Sequence, residues 1–329
     1  MTLIESAAEW AKQHPARIIF PDSIDQRSIE ASRKIIDNGY GTPILLANPL
    51  ALREYALEHK LSLGGITIID PERSPLLEKF AEQRHADKPE ISVDDARKEM
   101  SDPLYFAAMM LRFNEADYCI GGNVSSTASV LRSGLRVIGL AEGNKTLSSI
   151  FFMISPDGSN IYGFADCSVV PEPTVDQLAD ITISTAKSYK NVTGQIPRVA
   201  MLSFSSKGSA KHPNVEIVQN AFEIVRQRDP ELIVDGELQF DSAFVPKVAK
   251  QKAPESPLQG EANVFIFPNL AAGNIGYKIA QRMGGYSALG PMIQGLKCPM
   301  HDLSRGCSAE DMVETALMAM KMAPLGAKR

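Results

Sequence analysis

Short runs of β-branched and aromatic residues alternate with longer stretches in which apolar positions recur every three to four residues. That alternation is the pattern of parallel sheets whose strands are joined by crossover helices. Eight runs read as strands: residues 17–20, 43–47, 66–69, 118–120, 149–154, 198–202, 232–234 and 264–267. Helix starts are marked too. Thr2 with Glu5, Thr174 with Gln177 and, more loosely, Ser308 with Asp311 fit capping boxes, in which each side chain of the pair satisfies a free backbone N–H. Asn38-Gly39 closes a helix that begins near Asp25. Residues 2–12 carry an apolar stripe, Leu3, Ile4, Ala7, Ala8 and Ala11, which is expected to pack on its own domain. The Pro/Gly/Ser clusters at 156–160, 170–174 and 253–260 are loops too short to be disordered linkers.

Composition narrows the class. The 329 residues are 44% hydrophobic and 22% charged, which excludes disorder and suits about two domains. Thirty-four Lys and Arg against thirty-nine Asp and Glu leave a net charge of -5 with no basic tract, so nucleic acid is not an expected partner. Cys119, Cys167, Cys298 and Cys307 form no CxxC pair, and the five histidines form no HxxxH pattern. A reducing cytoplasm and no metal site are expected. The N-terminal residues carry Glu5 where a signal peptide is basic, and no run of about 18 apolar residues follows, so no membrane association is expected.

Three segments place small and hydroxyl residues with a cation after a predicted strand or before a helix, where free backbone N–H groups can face an anion. They are residues 121–127, leading to Arg132 and Arg136; residues 203–211, with Lys207; and residues 302–308, with Ser304 and Arg305. Together they suggest a phosphate-rich ligand. No GxGxxG occurs, and residues 139–146 depart from a P-loop by Asn144 and by one missing residue, so a dinucleotide dehydrogenase and a P-loop NTPase both lose ground. No GxSxG elbow occurs, and His301 near Ser304 reads as structural.

These blocks resemble the phosphate acetyltransferase family over nearly the whole chain. The matching stretches are Ser125-Ser126-Thr127 with Leu131-Arg132, residues 199–203 with Lys207-Gly208-Ser209-Ala210, residues 234–239, Gly273-Asn274-Ile275 with residues 277–282, and residues 302–308. Within the family, residues 20–22, 163–171 and 300–302 resemble the branch associated with ethanolamine utilisation. The resemblance implies two α/β domains with mainly parallel sheets and an active cleft between them. The first domain would be discontinuous (1–140 plus 295–329) and the second would span 141–294. It also implies a cytoplasmic homodimer, whose packaging in a microcompartment the sequence leaves open. The implied reaction moves an acetyl group reversibly between coenzyme A and inorganic phosphate, with acetyl phosphate and coenzyme A as small-molecule substrates and no bound cofactor.

By the same resemblance, Asp311 is the base for the coenzyme A thiol, Ser304 donates to the acetyl carbonyl and Arg305 holds the phosphoryl group. Ser126, Thr127, Arg132, Lys207, Arg282 and Arg84 contact phosphate or coenzyme A, although the segment around Arg84 departs from the family pattern. An ordinary Asp near 3.9 and a thiol near 8.5 differ by about 4.6, or roughly 6 kcal/mol of uphill proton transfer. Partial burial of Asp311 is therefore expected, to keep it basic beside arginines. Cys307 is expected to be a buried structural thiol, with the acyl group passing directly in a ternary complex. Two alternatives are a phosphate acyltransferase for propionyl or butyryl groups, and a non-catalytic acetyl-coenzyme A sensor like domains at the end of large malic enzymes.

Overall fold

The computed structural model describes residues 2–324, which divide into two compact units. One comprises the described parts of Met1–Ala141 and Leu296–Arg329, the other Glu142–Gly295. The strands are β1 (Ala16–Phe20), β2 (Gly41–Leu46), β3 (Thr67–Ile69), β4 (Tyr118–Gly121), β5 (Ser148–Ile154), β6 (Ile161–Ala165), β7 (Arg198–Leu202), β8 (Ile233–Leu238), β9 (Val264–Ile266), β10 (Ser287–Gln294) and β11 (Met300–Asp302).

In the first unit the sheet order is β11-β4-β1-β2-β3, with every pairing parallel. The chain runs outward from β1 to β3 and then returns to β4 on the other side of β1. A crevice opens at the carboxyl ends of strands where an α/β order reverses in this way, and here it falls between β1 and β4. The helix Pro103–Arg112 begins at Asp102, whose carboxylate accepts from Leu104 N–H at 2.8 Å, and Pro103 occupies the first turn, where no N–H is needed. Its Phe106 is fully buried, edge-on to Phe80 at 5.0 Å, so truncation to Ala would cost about 3–5 kcal/mol. The first helix, Leu3–Gln13, buries Leu3, Ala7 and Ala11 and packs against the helix Ala309–Met322, with Lys321 Nζ donating to Ser6 Oγ at 2.6 Å. Its apolar stripe therefore serves its own unit.

In the second unit the order is β10-β5-β6-β9-β7-β8. The pairings among β6, β9, β7 and β8 are parallel, while β10-β5 and β5-β6 are antiparallel. Three strands escape the hydrophobic pattern for local reasons. β6 is the return arm of a hairpin through the Pro156 turn, β10 is interrupted by Gly290-Pro291, and β11 has only three residues. Proline removes a ladder N–H, and β10 tolerates it as an edge strand with an irregularity between Leu289 and Met292.

Candidate active site

Three strand ends, those of β1, β4 and the neighbouring β11, converge in the first unit. The Asp22 carboxylate after β1 accepts the N–H groups of Gly122 (2.9 Å), Val124 (3.2 Å) and Ser125 (3.1 Å), and the Ser125 hydroxyl. The loop amides that the sequence offers to an external anion are thus taken by an internal carboxylate. Gly122 has φ +98°, and a Cβ there would lie 2.3 Å from Asp302 Oδ1, so only glycine lets β4 turn this closely over β11. Thr127 Oγ1 donates to Asp302 Oδ2 at 2.6 Å. Burial pushes the Asp302 carboxyl up to about 6, against the Thr127 hydrogen bond and with help from the Asp22 charge. His301 beside it is buried, which pulls its imidazole down to about 4, so it is neutral at pH 7. Ser126 caps the helix Thr127–Ser133 by accepting from Ser129 N–H at 3.2 Å, and Arg132 in that helix is exposed. Its guanidinium has no hydrogen-bond or ion-pair partner among the described residues.

The segment after β11 presents its functional groups outward. Ser304 and Arg305 are exposed. The Ser304 Oγ accepts from Gly306 N–H at 3.2 Å, which leaves its own O–H free to donate, and the Arg305 guanidinium has no partner among the described residues. Cys307 is buried, and burial pushes its thiol up despite the nearby Arg27 charge. Ser308 and Asp311 form the full capping box of the helix Ala309–Met322: Asp311 Oδ2 accepts from Ser308 N–H at 2.8 Å and from its hydroxyl at 2.9 Å. Asp311 itself is exposed, so the partial burial asked of it on energetic grounds is absent.

Arg84 is 4% exposed. Its Nε donates to Glu99 at 2.6 Å, and its amino groups reach Glu99 and the Arg136 carbonyl, so all three nitrogens are engaged within the fold. It nonetheless lines a pocket of about 510 Å³ together with Lys88, Arg112, Arg136 and Lys297, where the acid is Asp87. Arg136 sits in the π-helical turn Gly134–Ile138, which widens the helix at this wall. Sequence spacing gives no sign of this cluster, because its members come from four separate segments.

In the second unit the loop after β7 is organised by Glu237, at the end of β8. Its carboxylate accepts from Gly208 N–H (2.8 Å), Ser205 Oγ (2.7 Å) and Gln219 Nε2 (2.9 Å). Burial alone would raise its pKa, but these donors together hold it below the usual carboxylate value. Lys207 Nζ is bound to the buried Asp235 and to the Gly236 carbonyl at 3.2 Å. Its charge is therefore already matched inside the fold. Arg282, the last residue of the helix Leu270–Arg282, is exposed with no hydrogen-bond or ion-pair partner among the described residues. That helix rests on the strand end of β6: a Cβ on Gly273 would lie 2.3 Å from the Asp166 carbonyl oxygen, and Asn274 Nδ2 donates to the Cys167 carbonyl at 3.1 Å.

Residues 2–320 match the family model described as phosphate acetyl/butaryl transferase. The phosphate acetyltransferase of Bacillus subtilis (strain 168) is 43% identical over 325 residues, covering 98% of this chain and 99% of that protein. Among solved structures, a phosphotransacetylase from Streptococcus pyogenes superposes with a TM-score of 0.93 at 39% identity, and the EutD phosphotransacetylase from Staphylococcus aureus with 0.90 at 38%; each covers 97% of both chains. With the family model spanning nearly all of its length, this chain belongs to the phosphate acetyl/butyryl transferase family.

Proposed function

We propose that the chain transfers an acetyl group reversibly between coenzyme A and inorganic phosphate, with coenzyme A as a substrate and no resident cofactor. The observation that carries this reading is the Ser304-Arg305 turn, exposed and with an unmatched guanidinium, placed directly before a helix N-terminus at the carboxyl end of β11. In the thioester-forming direction the coenzyme A thiol gives its proton to Asp311. The thiolate sulfur forms a bond to the acetyl carbon, and the bond from that carbon to the bridging oxygen then breaks, the oxygen leaving with phosphorus as inorganic phosphate. Ser304 O–H donates to the carbonyl oxygen as charge collects there, and Arg305 holds the departing phosphate. With Asp311 exposed, the proton-transfer gap is narrowed from the thiol side. The helix N-terminus and the unmatched Arg305 and Arg132 stabilise the thiolate.

Thr127 acts through Asp302, Ser126 acts as a helix cap and Lys207 steadies the loop after β7 through Asp235, while the unmatched Arg132 and Arg282 meet phosphate or coenzyme A oxygens. The cation-lined pocket holding Arg84 suits the phosphate-rich end of coenzyme A, since guanidiniums and ammoniums outnumber acids on its wall. The buried Cys307 thiol is poorly placed to form an acetyl-enzyme, which supports direct transfer.

Ile275, Ile279 and Met283, spaced four apart and more than half exposed, offer a face for a second copy and support a homodimer. No helix among the described residues is long and apolar enough to cross a membrane. A cytoplasmic setting, with or without a microcompartment, completes the reading.

The experiment is to mix purified protein with coenzyme A and acetyl, propionyl or butyryl phosphate and to measure thioester formation, with light scattering alongside. Fastest turnover with acetyl phosphate is expected. Faster turnover with butyryl phosphate would move the assignment to the longer acyl group, and no thioester from any of them would leave a sensor.

A further inference from the structure

The helix Gln26–Asp37 has no acid in its first turn and carries Arg27 there, against the positive end of the helix dipole. A cation in that position needs another task to justify it. Asp25, the N-cap, accepts the Arg27 N–H at 2.9 Å, and its two carboxylate oxygens take Nε and one terminal N–H, each at 2.9 Å. The remaining three N–H groups go to backbone carbonyls: Asn123 at 2.9 Å, Arg305 at 2.8 Å and Cys307 at 3.0 Å. All five donors of the guanidinium are therefore used, in a fork geometry that no other side chain reproduces.

We propose that Arg27 is a positioning residue for the transfer reaction, fastening the loop after β4 and the Ser304-Arg305 turn to one rigid point at the end of β1. The turn has little else to hold it. Within it the bonds are Cys307 N–H to the Ser304 carbonyl at 2.9 Å and Gly306 N–H to Ser304 Oγ at 3.2 Å, and residues 304–306 are exposed. Arg27 bonds the carbonyls on either side of Gly306, so it fixes the backbone from which Arg305 projects while touching neither its guanidinium nor the Ser304 hydroxyl. Asp25 in turn orients Arg27, and the same guanidinium carries the constraint across to Asn123, next to the Asp22-bound amides.

This inference rests on the roles given above to Ser304 and Arg305, and its test separates the two. Wild-type protein is first assayed for thioester formation from acetyl phosphate and coenzyme A. Arg27→Lys and Arg27→Gln are then compared with it by steady-state kinetics, melting and amide hydrogen exchange. A misplacement of about 1 Å costs about 10²-fold in rate. The expected result is a kcat loss of that size in both variants, with KM for coenzyme A within threefold, and faster exchange confined to residues 122–125 and 304–308. Lysine keeps the charge and an ordinary fold, so Arg27→Lys decides the matter if Arg27→Gln does not fold. A kcat within threefold of wild type in Arg27→Lys, or faster exchange spread evenly over the unit with turnover per folded molecule unchanged, overturns the proposal. If wild type makes no thioester, the functional reading falls, and the exchange pattern alone judges the clamp.

Discussion

The segment after β11 in the first unit and the loop after β7 in the second share a composition, hydroxyls and small residues around a cation, Arg305 in one and Lys207 in the other, yet the fold treats these two cations in opposite ways. Lys207 is bound to Asp235 and to a backbone carbonyl, while the Arg305 guanidinium has no partner among the described residues. In its backbone the loop after β7 instead resembles the loop after β4: in each a carboxylate from a neighbouring strand end collects the loop donors, Glu237 for residues 205–208 and Asp22 for residues 122–125. A hydroxyl-rich turn is thus chiefly a device for receiving an internal carboxylate. What marks a place for an external anion is the charge left over once the internal pairs are made.

The strongest attempt to break this contrast is Asp311→Asn. The amide keeps the shape of the cap but accepts no proton, so kcat should fall about 10² to 10⁴, with both KM values little changed. The melting curve should move by no more than the roughly 0.5–1 kcal/mol typical of a cap. Turnover within threefold of wild type would reduce Asp311 to a cap. Next comes Arg305→Gln, where removal of an unmatched guanidinium should lower kcat/KM for acetyl phosphate about 10² to 10³ and leave stability within about 0.5 kcal/mol.

Lys207→Gln should show the reverse profile. It strands the buried Asp235 carboxylate at a cost of about 3 kcal/mol, while turnover of the folded protein stays within about tenfold. Equal kinetic losses in the two variants, with no difference in melting, would erase the distinction between the loops.

Acidity separates the units more gently. The folded pKa of Asp302 is raised to about 6, so the folded state holds a proton that the unfolded chain has released. Its contribution is full below about 3.9 and is lost as pH rises towards 6. Glu237 is shifted the other way, so its contribution is present above about 4.3 and is lost as pH falls through its lowered value. Asp302→Asn should accordingly gain in melting temperature relative to wild type between pH 4 and 6.5 and run parallel to it above that. A constant offset across the range would rule out Asp302 as the titrating group. The smallest effect is expected from Cys307→Ala, with turnover within threefold and no change to intersecting double-reciprocal lines; parallel lines with an inactive variant would demand an acetyl-enzyme.

Local features were legible in the sequence because their determinants lie within a few residues. Each of the eight strand patterns corresponds to a strand, and both halves of all three capping boxes form, from Thr2 with Glu5 to Ser308 with Asp311. Family blocks then drew attention to Ser304, Arg305 and Asp311. Asp22 and Arg27 were not legible, since they bond residues about 100 and 280 positions away, and no periodicity encodes that. One local sign existed for Arg27, a cation where a helix dipole disfavours it. The exposure of Asp311 was also beyond reach, because it depends on how the helix Ala309–Met322 lies on its unit.

The split of the first unit across the chain has a consequence during synthesis. β4 is made well before β11, and the whole of Glu142–Gly295 emerges between them. At translation rates of about 5–20 residues per second, the half-finished sheet waits roughly 10–30 s with the edge of β4 unpaired. The nascent chain has neither Ser304 nor Asp311 during that wait, and Arg27 lacks two of the carbonyls it will hold. The first sheet is therefore completed in a single late event, when the last segment docks, and a ribosome that stalls in the second unit releases a chain with an open edge.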